Sequence, residues 1–360
     1  MKRFIECIIP FRTCNLQCSY CYITHTRSWG NSLPIFQYDA AWIGRALSAK
    51  RLGGICLVNI CGDGETLLPP EMPRIISSIL KQGHFVMVVT NGTVSKRFDE
   101  IVGLPGDYLD RLMFKFSYHY LELKRKKWLN VFFDNVEKVR NAGCSISVEL
   151  TPCDEMIPHI DDAMNLCRRK TGAIPHVTVA RDERDPSLPI LTGLSEAEYM
   201  GIWSKFQSKL FNFKMRVFGE KRSDYCYAGL WSAWLNLLSG DLRQCYREQK
   251  LQNIFEDLER PIKFAPVGRH CSQPHCYNAH AFMTLGVIPS VSTPRFSEMR
   301  NRVCEDGSEW LKPKMKAFLS GKLADENREL TGIEKFIYEV RGKAMRSRVL
   351  RKTRSILSRK

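Results

Sequence analysis

Six short apolar runs, each followed by a longer amphipathic stretch, occupy the first half of this 360-residue chain. Such alternation marks βα units and forces a parallel sheet covered by helices. The runs expected as strands are Phe4–Ile9, Ile55–Ile60, His84–Thr90, Arg111–Tyr118, Cys144–Leu150 and His176–Ala180. Helices are expected over Tyr38–Arg51, Pro70–Lys81, Val131–Asn141 and Ile157–Lys170. Gly53 and Gly54 close the first of these, and Pro70 starts the second, where a missing N–H costs nothing. Ligands of parallel α/β sheets gather at the C-terminal strand ends. The residues just past each run are therefore the candidates for chemistry.

The first such segment carries Cys14, Cys18 and Cys21 in CNLQCSYCY. Three thiolates on one short loop suffice for three irons of a [4Fe-4S] cube, which normally takes four cysteines. One iron is then left open to a ligand. A structural zinc site is the alternative, but no further His or Cys follows at the spacing it requires. The loop and its flanks resemble the signature of the radical SAM superfamily. The resemblance implies a partial (β/α)6 barrel of the TIM type, with the amino and carboxylate groups of S-adenosylmethionine (SAM) on the open iron. It also places the aromatic residue before the third cysteine, Tyr20 here, near the adenine.

Other strand ends match the same family. CGDGETLL at 61–68 resembles its glycine-rich motif, usually closer to GGEP. By that likeness Gly62 and Gly64 let backbone approach SAM, and Glu65 accepts from its ammonium. Asp63 and Thr66 depart from the pattern, and Asp63 is the next candidate acceptor. Asn91, in Thr90-Asn91-Gly92, is similar to the family's TNG, though an ordinary Asn-Gly turn reads the same way. Ser117 and His119 share one face of the fourth run, where relatives place groups that hold the ribose; a structural histidine is the alternative. Arg181 offers a fork for SAM's carboxylate, unless RDERD is a solvated turn. Glu149, polar in an apolar strand, is expected to face the barrel interior. With Cys61 and Cys153 at strand ends, it is a candidate for catalysis.

A second set of cysteines lies beyond a Pro- and Gly-containing segment, 182–194, and a helix expected from Ser195 to Leu210. Cys226, Cys245, Cys271 and Cys276 are enough for one closed cluster. Trp234–Leu238 and Leu242–Tyr246 flank Ser239-Gly240-Asp241, a hairpin signal. Gly240 followed four residues later by Cys245 resembles the opening of SPASM and twitch extensions, and Leu251–Asp257 resembles the LGNI-type stretch after it. The likeness implies one auxiliary [4Fe-4S] cluster; four-cysteine zinc is the alternative. His270, His275 and His280 lie close enough in sequence to replace a thiolate. The expected organisation is a radical SAM core at 1–185, linker and helix at 186–222, a twitch-like β-hairpin-plus-helix domain at 223–290, and a basic helical extension at 291–360.

Fourteen cysteines without a secretory signal point to metal ligation in a reducing cytoplasm. Cys7, Cys56, Cys144, Cys167 and Cys304 read as small buried hydrophobes. The formal charge is +16, and Arg341–Lys360 holds nine Lys or Arg and no acid. Apolar positions Ile333, Phe336, Ile337, Val340 and Ala344, then Val349, Leu350, Ile356 and Leu357, recur at loosely helical spacing and suggest a face for an anionic membrane or partner, with a solvated terminal helix as the alternative. Peripheral attachment at the inner membrane surface is therefore expected alongside a cytoplasmic location.

The resemblance implies reductive cleavage of SAM to a 5′-deoxyadenosyl radical, which takes a hydrogen atom from a substrate C–H bond. An electron donor such as flavodoxin or ferredoxin is implied as well. An auxiliary cluster favours oxidation or cross-linking, whereas net-neutral epimerisation needs a hydrogen donor such as a thiol. Peptides are the main substrates of such enzymes, and sugars or lipid-linked glycans the alternative. A nucleic-acid substrate, suggested by the charge and by KRKKW at 124–128, lacks any recognisable RNA-binding module. A non-enzymatic iron–sulfur or zinc scaffold would bind no SAM.

Overall fold

The computed structural model describes residues 1–246, 250–269 and 271–342. Its strands are β1 (Phe4–Ile9), β2 (Leu57–Gly62), β3 (Phe85–Thr90), β4 (Leu112–Ser117), β5 (Ser145–Leu150), β6 (His176–Val177), β7 (Ser232–Asn236), β8 (Asp241–Arg243) and β9 (Lys250–Asn253). All join one sheet in the order β6-β5-β4-β3-β2-β1-β7-β8-β9. Pairing is parallel from β6 through β1 to β7, then antiparallel through β8 and β9. The expected partial barrel is present, extended by a small antiparallel part and by helices towards the C-terminus.

Strands β1 to β6 are buried along nearly their whole length, as parallel strands covered on both faces must be. Ile5, Cys7 and Ile9 of β1, with Val58 and Ile60 of β2, pack into the cluster shared with the surrounding helices, among them Met72–Lys81 and Leu129–Asn141. The opposite face is closed by the C-terminal half of the chain. Phe4, Leu57 and Phe85, each the first residue of its strand, cluster with Phe282, Phe296 and Leu319. Phe4 meets Phe282 edge-on at 5.2 Å and Phe85 stacks on Phe318 at 3.7 Å. The N-terminal strand ends are thus plugged, and the C-terminal ends remain available.

Above the plug lies a charged layer. On the concave face Asn59 Nδ2 donates to Glu6 Oε1 at 2.7 Å, Lys115 Nζ stands 3.3 Å from Glu149, and Arg300 pairs with Glu149. Arg300 is 1% exposed and Glu149 5%. Isolated charges are very costly there, so each is held by its partner.

Several elements differ from expectation, each for a local reason. The helix expected at Tyr38–Arg51 divides into Ala40–Ala46 and Ala49–Leu52 around Leu47 and Ser48. Strand six shortens to two residues at the edge of the sheet, where Thr178 N still donates to Leu150 O of β5 and Val177 N donates to Ser208 Oγ. The helix expected from Ser195 runs Glu196–Trp203 behind a Ser195/Glu198 capping box. It then breaks at Gln207, whose φ is +46°, before a second helix, Lys209–Arg216. The hairpin turns where expected, two residues earlier in its first strand. Gly240 is required there, since a Cβ would lie 2.4 Å from the Phe255 ring. Lys250–Asn253 adds a third strand to the hairpin. No helix among the described residues is long and apolar enough to cross a membrane.

Candidate active site

The cysteine loop leaves β1 and is welded to the ends of β2 and β3. Asp63 N donates to Ile9 O at 3.0 Å and Glu65 N to Thr13 O at 3.1 Å. A Cβ on Gly64 would sit 2.0 Å from Thr13 O, so that glycine serves contact between the two loops. Thr66, where the family motif has proline, accepts from Gly62 N at 2.8 Å, and Tyr22 donates to Asp63 O at 2.8 Å. The departure at Thr66 therefore has a structural reason, since its hydroxyl is the acceptor. Opposite, Gln17 N donates to Glu122 Oε1 at 3.0 Å, fixing the loop to helix Tyr120–Arg125.

Cys14, Cys18 and Cys21 line one cavity together with Tyr20, Gly62, Asp63, Gly64, Glu65, Asn91, Ser117 and His119. The structure thus brings together nearly every residue singled out for SAM. Asn91 Nδ2 donates to Asn15 Oδ1 at 2.7 Å and approaches Cys14 Sγ at 3.7 Å. Gly92, at φ +74°, has no room for a Cβ, which would lie 2.7 Å from Phe132. The turn after β3 is accordingly part of the cysteine loop's support.

Glu65 has a role that spacing did not reveal. Its Oε1 accepts from Thr90 Oγ1 at 2.6 Å and Leu67 N at 2.9 Å, and its Oε2 accepts from Asn91 N at 2.7 Å. The carboxylate clamps β2 to β3 and retains acceptor capacity mainly on Oε2. Tyr20 OH lies 2.6 Å from His119 Nδ1. Burial pushes the His119 imidazole down to about 4, so it is neutral near pH 7 and accepts from or donates to that phenol.

Arg181 does not reach this cavity. Its Nη1 donates to Tyr277 O at 2.9 Å and its Nη2 pairs with Glu183 at 3.1 Å. Tyr277 adjoins Cys276, so Arg181 ties the end of β6 to the second cysteine set. Of the catalytic candidates, Glu149 is spent on Arg300 and Lys115, Cys153 lines a neighbouring groove, and Cys61 sits at the end of β2 on the face of Asn59. Lys214 escaped notice because one lysine on an amphipathic helix carries no signal. It is 8% exposed and donates to Thr178 Oγ1 at 2.8 Å, and burial holds its ammonium well below the ordinary lysine range.

Cys226, Cys245, Cys271 and Cys276 line a second, small cavity. Cys226 is pinned by paired backbone bonds with Gly268 at 3.1 and 3.0 Å. His275, 4% exposed and resting on Phe218 at 4.8 Å, lines the same cavity with no hydrogen-bond partner on either ring nitrogen among the described residues. His280 lies outside that lining, and His270 lies outside the described residues. Among the described residues no three His, Cys, Asp or Glu groups stand in position for a single metal ion.

The thiols of both sets are hard to ionise by themselves. Burial pushes Cys14 up to about 12, with Glu65 and Cys21 adding to it, and burial with Cys271 beside it does the same to Cys276. Cys18 and Cys245 are raised further by burial and by the other thiols of their sets. Clustered, buried thiols of this kind suit a cationic metal centre, which reverses that cost and deprotonates them. Both donor sets fit iron–sulfur ligation, three thiols in the first and four in the second.

Residues 8–166 match the family model of the radical SAM superfamily. The chain therefore carries a radical SAM domain, whose cofactors are a [4Fe-4S] cluster and SAM. No curated protein matches the chain. Among solved structures, SuiB of Streptococcus suis bound to S-adenosylmethionine is similar at 16% identity with a TM-score of 0.50, over 71% of this chain and 65% of that one. This chain thus spans just under two thirds of that enzyme, and at this identity the likeness is one of fold. A histidine-tagged anSMEcpe with bound AdoMet aligns over 90% of this chain and 93% of its own at 13% identity and a TM-score of 0.46.

Proposed function

We propose that this radical SAM enzyme oxidises or cross-links a peptide or protein, assisted by an auxiliary [4Fe-4S] cluster on Cys226, Cys245, Cys271 and Cys276. The observation that carries the reading is the placement of the two cysteine sets. Three thiols line a cavity at the strand ends and four line another, whose Tyr277 is held by Arg181 from the segment after β6. When bound, the first cluster supplies an electron to SAM and so the adenosyl radical that removes a substrate hydrogen atom.

The chain's own residues bind and orient. Asn91, Ser117 and His119 line the cavity and would meet the nucleoside of SAM, and Glu65 fixes the loop that would face SAM's ammonium. An open groove beside it, sharing Tyr20 and lined by Asp154, Glu155 and residues 190–193, suits an extended substrate such as a peptide. A flavodoxin- or ferredoxin-type donor would supply the electron.

The auxiliary assignment is tested by Cys245→Ala with Cys276→Ala. After anaerobic reconstitution this variant should hold about four irons against about eight in the wild type, and should still yield 5′-deoxyadenosine from SAM under dithionite. Zinc in the purified wild type, or equal iron in both proteins, would overturn it.

A further inference from the structure

Residues 332–342 are helical, and the helix is turned inside out. It starts at Thr331, whose Oγ1 accepts from Glu334 N at 3.3 Å while Glu334 Oε2 accepts from Thr331 N at 2.9 Å, a capping box. Its polar positions face the protein. The Lys335 ammonium lies over the rings of Tyr225 and Tyr227 at 5.0 and 5.7 Å, and Glu339 stands 3.9 Å from Arg269. Its apolar positions face outward: Ile333 is 75% exposed, Phe336 66%, Ile337 41% and Val340 49%. They recur at i, i+3, i+4 and i+7, one continuous stripe. A helix at a protein surface ordinarily does the reverse, so this stripe is built to be covered by something else.

We propose that the stripe docks the enzyme on an anionic lipid surface. The helix leads directly into the segment 341–360, which carries nine Lys or Arg and no acid. Apolar residues on one face with a high density of adjacent cations is the chemistry of an interfacial helix, its side chains entering the headgroup region while lysines and arginines meet lipid phosphates and carboxylates. The polar contacts to Tyr225, Tyr227 and Arg269 hold the stripe outward against the auxiliary-cysteine region. Membrane contact would therefore present that side of the enzyme to the bilayer.

The test uses full-length reconstituted enzyme and sedimented vesicles of phosphatidylcholine with and without phosphatidylserine. Wild type should bind the phosphatidylserine vesicles, weakly at high salt because exposed charges are screened within about 8 Å at physiological ionic strength. The double variant Phe336→Asp/Ile337→Asp changes only exposed side chains, and should bind about tenfold or more weakly with SAM cleavage unchanged. Equal binding by variant and wild type, or no binding by wild type, would overturn the proposal. So would a wild-type dimer in solution that this variant dissolves, which would assign the stripe to a second copy.

Discussion

A variant with Cys14, Cys18 and Cys21 all replaced by alanine should form no 5′-deoxyadenosine from SAM and should retain about four of about eight irons. The three thiols line one cavity on a loop fixed from three sides, by Ile9 and Thr13 carbonyls, by Asn91 and by Glu122. These supports are mainly backbone and non-cysteine side chains, so the variant should fold and keep its second cluster. Iron content and product are measured on the same sample, which separates loss of one cluster from general unfolding. Persistent SAM cleavage in this variant would mean the loop is not the SAM-binding centre.

Glu6→Gln is expected to stabilise the protein at pH 8 and to leave it nearly unchanged at pH 4.5. Loss of water at this buried site pushes the Glu6 carboxyl from its ordinary 4.5 to about 7, despite the Asn59 hydrogen bond and the charges of Lys115 and Arg300. The folded-state value lies above the unfolded one, so the folded protein binds the extra proton. Its contribution is fully present below about pH 4.5 and is lost as pH rises through about 7. The gap corresponds to about 3 kcal/mol at pH 8, or a Tm rise of roughly 5 °C in the variant. Glutamine keeps an acceptor for Asn59. Equal stabilisation at both pH values would show that burial of the charge is not the cause.

The parts of the fold carried by local pattern were legible. Phe4–Ile9 is a strand at the bounds its apolar run suggests, and the Ser239-Gly240-Asp241 turn lies where its residues place it. The three-cysteine loop and CGDGETLL came together because each ends or follows a strand of the same sheet. What stayed hidden depends on partners distant in sequence. Glu149 reads as a lone acid in an apolar strand, and only tertiary contact brings Arg300 from 151 residues away to neutralise it. Arg181 had the chemistry for a carboxylate, yet the fold turns it towards Tyr277. Glu65 looked like a ligand and proved also to be a clamp, because the backbone N–H groups of Leu67 and Asn91 carry no trace in composition. The amphipathic helix near the C-terminus was legible as a pattern, but its apolar side facing outward was not. The basic segment beyond it, 343–360, lies outside the described residues.

The central claim is that SAM binds an open iron held by Cys14, Cys18 and Cys21. The most direct measurement is low-temperature EPR of the dithionite-reduced wild-type protein before and after SAM is added. SAM should change the g-values of one reduced cluster, and the same change should persist in Cys245→Ala/Cys276→Ala, where the auxiliary site is removed. A spectrum of intact reduced cluster that SAM leaves unaltered in both proteins would contradict the account.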